Sequence, residues 1–180
     1  FGMEYGVSNR DGQCPPDEVK NILSLASAQG VHLIDTAPGY GKSETVLGAN
    51  LPTDHEFRVV TKTPVFSRQS FGLTEARELG RTFMRSLSQM RMPAIYGLLV
   101  HHADELLAKG GSALFEEMAT LKARGLVRKI GASVYTSDQI NRLCDRYVID
   151  LIQLPVNIFD QRLVANGQLE VLQEAGIEVH

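Results

Sequence analysis

The stretch that decides the fold is residues 31–44, with the sequence VHLIDTAPGYGKSE. It predicts a short buried strand, a loop rich in glycine and proline, and the start of a helix. The strand places a carboxylate, Asp35, at its C-terminal end, and the loop places a phenol, Tyr40, five residues later. Two groups that can exchange protons therefore follow a single strand.

The next two apolar runs also end in polar side chains. Lys62 ends the run at 58–62, and His101 ends the run at 96–101. In a parallel α/β barrel, the C-terminal ends of the strands converge on one mouth, which holds the active site. The sequence therefore predicts that Asp35, Tyr40, Lys62 and His101 share one site at that mouth.

Strand and helix patterns alternate along the chain with a repeat of about 30 residues, as βαβ units require. The predicted strands lie near 1–7, 31–36, 58–63, 95–102, 127–133, 150–155 and 177–180. They give about six βα units and the start of strand seven, in a single domain over 1–180. Because a closed (β/α)8 barrel needs eight units, we predict a (β/α)8 TIM barrel that is incomplete at its C-terminus and also at its N-terminus.

The alternative fold is an open, doubly wound sheet. Such a sheet normally carries a Gly-x-Gly-x-x-Gly turn after its first strand. Gly39 and Gly41 begin that pattern, but Glu44 stands where the third glycine belongs. The barrel is therefore the preferred prediction.

Composition and charge limit the function classes. The net charge is −3 and no block of Lys or Arg stands out, so nothing predicts a nucleic-acid or membrane partner. Cys14 and Cys144 follow no spacing motif, which fits a reducing cytoplasm. His32, His55 and His180 lack the spacing of metal ligands, so we predict no metal site. The expected protein is cytoplasmic and acts on a small molecule.

The four polar residues suit proton transfer to a carbonyl group. A free phenol has a pKa near ~10, and an adjacent ammonium lowers it by stabilising the phenolate. We therefore expect Tyr40 to be a general acid assisted by Lys62, with Asp35 keeping the lysine charged. His101 would donate a second hydrogen bond to the same oxygen. The set lacks a nucleophile and a metal site, so hydride must come from a nicotinamide cofactor.

Segments along nearly the whole chain resemble the aldo-keto reductase family. Residues 35–44 are similar to its catalytic strand and loop, and the runs ending in Lys62 and His101 are similar to its lysine and histidine strands. Residues 130–133 (IGAS) and 152–154 (IQL) resemble the segments that meet the nicotinamide carboxamide. The resemblance implies a (β/α)8 barrel that reduces aldehydes and ketones with NADPH, or in some members NADH. It also implies Ser133, Gln153 and Asn157 as cofactor-binding residues.

The sequence departs from the family at three points. Val134 stands where the family often has asparagine. His102 follows His101, so two imidazoles compete for one role, and alignment with the family favours His101. The segments that grip the cofactor's pyrophosphate, which in the family follow strands seven and eight, are not found in 1–180. We therefore expect the 180-residue chain alone to self-associate and to bind NADPH weakly.

The sequence leaves other hypotheses about function open. A non-catalytic, cofactor-sensing or regulatory subunit on the same barrel would keep the same four residues. Schiff-base chemistry through Lys62 would require a neutral amine, which Asp35 disfavours. Tyr5, Phe66 and Phe71 either line a substrate pocket at the mouth or pack in loops and core. No pattern predicts an oligomeric state or selects between NADPH and NADH.

Overall fold

The computed structural model describes residues 1–4, 6, 8–10, 12–52 and 54–180. Tyr5, one of the aromatic residues considered for a substrate pocket, lies outside these residues. Within them, every helix is too short or too polar to cross a bilayer.

Strands and helices alternate along the described ranges, as the sequence predicts. The strands are β1 (Leu33–Asp35), β2 (Arg58–Lys62), β3 (Ile95–Val100), β4 (Val127–Ser133), β5 (Leu151–Gln153) and β6 (Glu178–Val179). The helices are α1 (Pro16–Ala28), α2 (Ser43–Asn50), α3 (Leu73–Met90), α4 (Ala103–Leu107), α5 (Ser112–Ala123), α6 (Ser137–Cys144), α7 (Arg162–Ala165) and α8 (Gln168–Glu174).

The strands form one parallel sheet in sequence order, from β1 to β6. A doubly wound sheet would instead reverse its strand order at a switch point. Consecutive parallel neighbours joined by helices are the arrangement of a β/α barrel. The sheet therefore supplies six neighbouring strands of a barrel, and the predicted incomplete (β/α)8 fold is confirmed.

The predicted strands at the two ends of the chain have different outcomes. The last, 177–180, supplies β6 beside β5. The described part of the first, residues 1–4 and 6, forms no strand. Gly2 lies against the loop after β1, and its carbonyl accepts a hydrogen bond from the Lys42 N–H at 3.0 Å. A Cβ at Gly2 would lie 2.0 Å from the Ser43 nitrogen, so this segment packs on the loop rather than along the sheet edge.

Two apolar layers lie on opposite faces of the sheet. The outer layer joins the sheet to the helices, and the face of α3 predicted from its spacing lies in it: Leu79, Phe83, Leu87 and Met90. The inner layer contains Val60, Leu99 and Leu151, with Leu33 packed against it. This inner layer fixes where the polar ends of the strands lie.

Candidate active site

The inner apolar layer positions the predicted polar side chains. Successive residues of a strand alternate between faces, so residues two positions apart face the same side. Each polar residue stands two positions after an inner apolar residue: the pairs are Leu33 and Asp35, Val60 and Lys62, Leu99 and His101, and Leu151 and Gln153. A polar layer therefore lies directly beyond the inner apolar layer, at the C-terminal ends of the strands.

Lys62 and Asp35 form an ion pair at the base of this polar layer. The Lys62 Nζ lies 2.6 and 2.7 Å from the two carboxylate oxygens of Asp35, and it also donates to the Thr36 carbonyl at 3.2 Å. Lys62 is only 3% exposed. A buried ammonium requires such compensation, so the pair holds Lys62 in its charged form. That form cannot act as the neutral amine of Schiff-base chemistry.

Tyr40 lies over this ion pair. The Lys62 Nζ is 5.0 Å from the centroid of the Tyr40 ring. A turn places the ring there, with the Tyr40 N–H donating to the Ala37 carbonyl at 3.0 Å. Gly41 follows with φ of 61°, and a Cβ there would lie 2.6 Å from the Gly2 carbonyl oxygen. The glycine thus permits the tight loop that puts the phenol beside the ammonium.

His101 completes the group. Its ring meets the Tyr40 ring edge-on, with centroids 6.0 Å apart and planes at 89°, and it stacks on His102 at 5.0 Å. Burial lowers the pKa of His101, the positive charges of His102 and Lys62 lower it further, and Asp35 opposes them. The imidazole is therefore neutral at neutral pH and can donate one N–H. Its contact with Tyr40 favours His101 over His102 as the histidine of the site.

Ser133 and Gln153 lie side by side, because the register of β4 and β5 pairs them. The Gln153 Nε2 donates to Asp35 Oδ1 at 3.0 Å, so Gln153 joins the group around Lys62. A carboxamide offers both donors and acceptors, which a hydroxyl and an amide can match. These two side chains therefore fit the nicotinamide end of the implied cofactor.

Asn157 and Val134 occupy different surroundings. The Asn157 Oδ1 accepts hydrogen bonds from the Phe159 and Asp160 N–H groups at 2.8 and 3.1 Å, which closes a turn. The structure does not bring Asn157 into contact with the group around Lys62. Val134 is fully buried in the outer apolar layer, where its side chain packs against apolar neighbours.

Sequence reasoning missed a buried carboxylate behind the site. Glu44, in the first turn of α2, is 3% exposed and accepts hydrogen bonds from Thr61 Oγ1 at 2.6 Å and Ser86 Oγ at 3.0 Å. Burial raises the pKa of Glu44, against the effect of these two hydrogen bonds and of Arg85. Glu44 thereby ties the helix after the Tyr40 loop to β2 and α3. The feature of the sequence that could have indicated this role is the position of Glu44, an acidic residue at the end of the stretch 31–44.

The aromatic residues considered for a substrate pocket pack together. Phe66 is 8% exposed within the outer apolar layer, and its ring meets Phe71 at 5.8 Å. This favours the packing interpretation for both. A cavity of about 590 Å³ does reach Asp35 and Tyr40, with apolar walls from Phe1, Ile34 and Leu47.

Comparisons with known proteins identify similar sequences and similar folds. The profile of the Aldo/keto reductase family matches residues 2–180. The NADH-specific methylglyoxal reductase of Escherichia coli is 29% identical over 167 residues, which cover 83% of this chain and 51% of that protein. A Pseudomonas aeruginosa protein assigned to the aldo-keto reductases has a crystal structure that is 26% identical, with a TM-score of 0.81 over 99% of this chain and 68% of that one.

A further solved structure shares the fold. A variant of Gox0644 in complex with NADPH is 22% identical, with a TM-score of 0.70 over 93% of this chain and 58% of that one. The chain spans about half the length of the curated relatives it matches. The family match includes every strand that contributes a residue to the site, and the resemblance seen in the sequence is confirmed. The chain belongs to the aldo/keto reductase family.

Proposed function

We propose that the complete protein interconverts an aldehyde or ketone with its alcohol, using a nicotinamide cofactor as the hydride carrier and Tyr40 as the proton donor. The observation that carries the proposal is the arrangement of three groups. The Tyr40 ring lies beside the buried Lys62 ammonium, which donates hydrogen bonds to both carboxylate oxygens of Asp35. Family membership supports the same class of reaction. The substrate class is a small-molecule carbonyl compound.

The chain's own residues would handle the proton. When bound, the cofactor supplies hydride to the carbonyl carbon. The Tyr40 hydroxyl gives its proton to the carbonyl oxygen, so the product is an alcohol and the phenol becomes a phenolate. The Lys62 ammonium stabilises that phenolate, and a proton from solvent restores the phenol. The reverse direction oxidises the alcohol by the same steps.

His101 and the strand ends would position the reactants. A neutral His101 imidazole donates one hydrogen bond to the carbonyl oxygen and shares the negative charge that develops there. Ser133 and Gln153 would hold the nicotinamide carboxamide, and Asn157 stays a predicted contact. A relative named for NADH and a similar fold solved with NADPH support a nicotinamide cofactor without selecting between the two.

Steady-state turnover of the full-length protein tests the proposal. With a small aldehyde such as methylglyoxal, we expect continuous loss of the 340 nm absorbance of NADPH or NADH, and no loss without the aldehyde. A 4-deuterated cofactor should give an alcohol that carries deuterium on the former carbonyl carbon. A cofactor-sensing subunit would bind NADPH without turnover over a panel of aldehydes and ketones, and that result would contradict the proposal.

A further inference from the structure

Helices α3 and α5 enclose a positively charged groove on the outer surface of the partial barrel. The groove has a volume of about 670 Å³ and is lined by Arg77, Arg81 and Arg124, together with Met84, Leu121 and Glu117. All three arginines are exposed. None of their guanidinium groups makes an ion pair or hydrogen bond with any residue in the described ranges. Three guanidinium groups therefore converge on one groove with their hydrogen-bonding capacity unused.

The arginines form a row with the repeat of a helix. Arg77, Arg81 and Arg85 are spaced four residues apart on α3, and Arg81 and Arg85 also line the adjoining depression with Glu78. Four residues of α-helix rise about 6 Å. Carboxylates at every fourth position of a second helix have the same repeat. Because guanidinium groups bind carboxylates through paired N–H donors, an acidic helix lying along α3 would match the row.

The remaining lining favours a peptide over a nucleic-acid backbone. Met84, which is 43% exposed, places apolar surface among the arginines. Glu117 crosses the groove at Gly80, where a Cβ would lie 2.4 Å from its Oε1. A fixed carboxylate repels a continuous row of phosphates, whereas a helix with apolar residues between its acidic ones can avoid it. We propose that this groove docks an acidic amphipathic helix of a partner protein.

Peptide binding tests this inference independently of the catalytic proposal. The probe is a fluorescein-labelled helical peptide of repeated Glu-Leu-Ala-Ala units, titrated with the full chain at low ionic strength and followed by fluorescence anisotropy. Arg77→Gln/Arg81→Gln/Arg124→Gln should weaken binding by about tenfold, as expected for three exposed charge contacts. The control Lys20→Gln/Arg142→Gln/Arg162→Gln lowers the net charge equally on other surfaces and should leave binding unchanged.

A second variant is expected to bind the peptide more tightly. Tighter binding cannot result from loss of folding. Glu117→Gln removes the like charge from the groove and should tighten binding of the acidic peptide. Equal weakening in the two triple variants, no tightening in Glu117→Gln, or no measurable binding would overturn the proposal. It would also be overturned if single-stranded DNA, or the same peptide with lysine in place of glutamate, bound as tightly.

Discussion

The Lys62 Nζ lies within 2.7 Å of both carboxylate oxygens of Asp35, across the ends of two neighbouring strands. The lysine side chain is 2% exposed and that of the aspartate 38%. The two charges are thus unequally buried. Removing the Asp35 charge leaves a buried ammonium, whereas removing the Lys62 charge leaves a carboxylate that is partly exposed to water. This asymmetry makes the pair testable by stability as well as by activity.

We expect Asp35→Asn to lower the free energy of unfolding, because it leaves the buried Lys62 ammonium without a counter-charge. Breaking a fully buried pair costs about 3–5 kcal/mol, and the partial exposure of Asp35 reduces this to about 1–3 kcal/mol. The double variant Asp35→Asn/Lys62→Met should regain most of the loss, as measured by urea unfolding. Asp138→Asn, which breaks the exposed pair with Arg142, serves as control. A double variant less stable than Asp35→Asn would refute the assignment.

Tyr40→Phe should abolish proton donation while keeping the ring in place. General acid catalysis contributes roughly 10²–10⁴-fold, so kcat of the full-length protein should fall by that range while the Kd for NADPH changes little. Tyr147→Phe is the matched control, since its hydroxyl donates to the Leu106 carbonyl away from the site. Stopped-flow turnover and fluorescence titration separate the two quantities. Near wild-type kcat in Tyr40→Phe would exclude Tyr40 as the donor.

His102 should influence the titration of its neighbour. Burial lowers the pKa of His101 most, and the charge of the stacked His102 lowers it further. His102→Gln removes that charge, so the pKa of His101 should rise toward the usual histidine value. A pH titration of the imidazole proton and carbon resonances by NMR measures it, with His55→Gln as a remote control. An unchanged His101 pKa would show that the stack carries no electrostatic coupling.

Strands β1 to β6 and the polar residues at their C-terminal ends were predictable because they depend on local patterns. Each apolar run ends in its polar residue, so sequence order alone brings Asp35, Lys62 and His101 to one end of the sheet. The contacts of Glu44 were not predictable, because they join residues 17 and 42 positions apart whose side chains show no periodic signal. The absence of a strand among residues 1–4 and 6 depends on a close backbone approach at Gly2, which apolar patterns do not encode.

Glu44→Ala should destabilise the fold behind the site. The Thr61 and Ser86 hydroxyls would lose their shared acceptor in a buried position, at a cost of about 2 kcal/mol. Because Thr61 precedes Lys62, kcat should also fall, whereas the exposed Glu18→Ala should change neither quantity. Chemical unfolding and steady-state kinetics on the same preparations provide both measurements. If Glu44→Ala matched Glu18→Ala in stability, the buried hydrogen bonds of Glu44 would contribute nothing.

Glu105 should make the fold less stable as the pH rises. In α4, its Oε1 accepts a hydrogen bond from the Phe66 N–H at 2.8 Å, and its Oε2 is buried without a partner among the described residues. Burial raises the pKa of Glu105 from 4.5 to about 7, with the Phe66 hydrogen bond opposing. Between these values the folded protein binds more protons than the unfolded chain, so the free energy of unfolding falls with rising pH, by up to about 3 kcal/mol.

Glu105→Gln removes the titrating group while keeping an oxygen for the Phe66 N–H. The free energy of unfolding, measured in urea at about pH 5 and about pH 8, should therefore fall less with pH in Glu105→Gln than in the wild type. The lowered pKa of His101 acts in the opposite direction: the unfolded chain binds this proton more readily, so the free energy of unfolding falls as the pH falls. This contribution is common to both proteins and cancels in the difference. Glu116→Gln, on the surface of α5, should keep the wild-type pH dependence. Parallel curves for the wild type and Glu105→Gln would show that Glu105 ionises in the fold as it does in the unfolded chain.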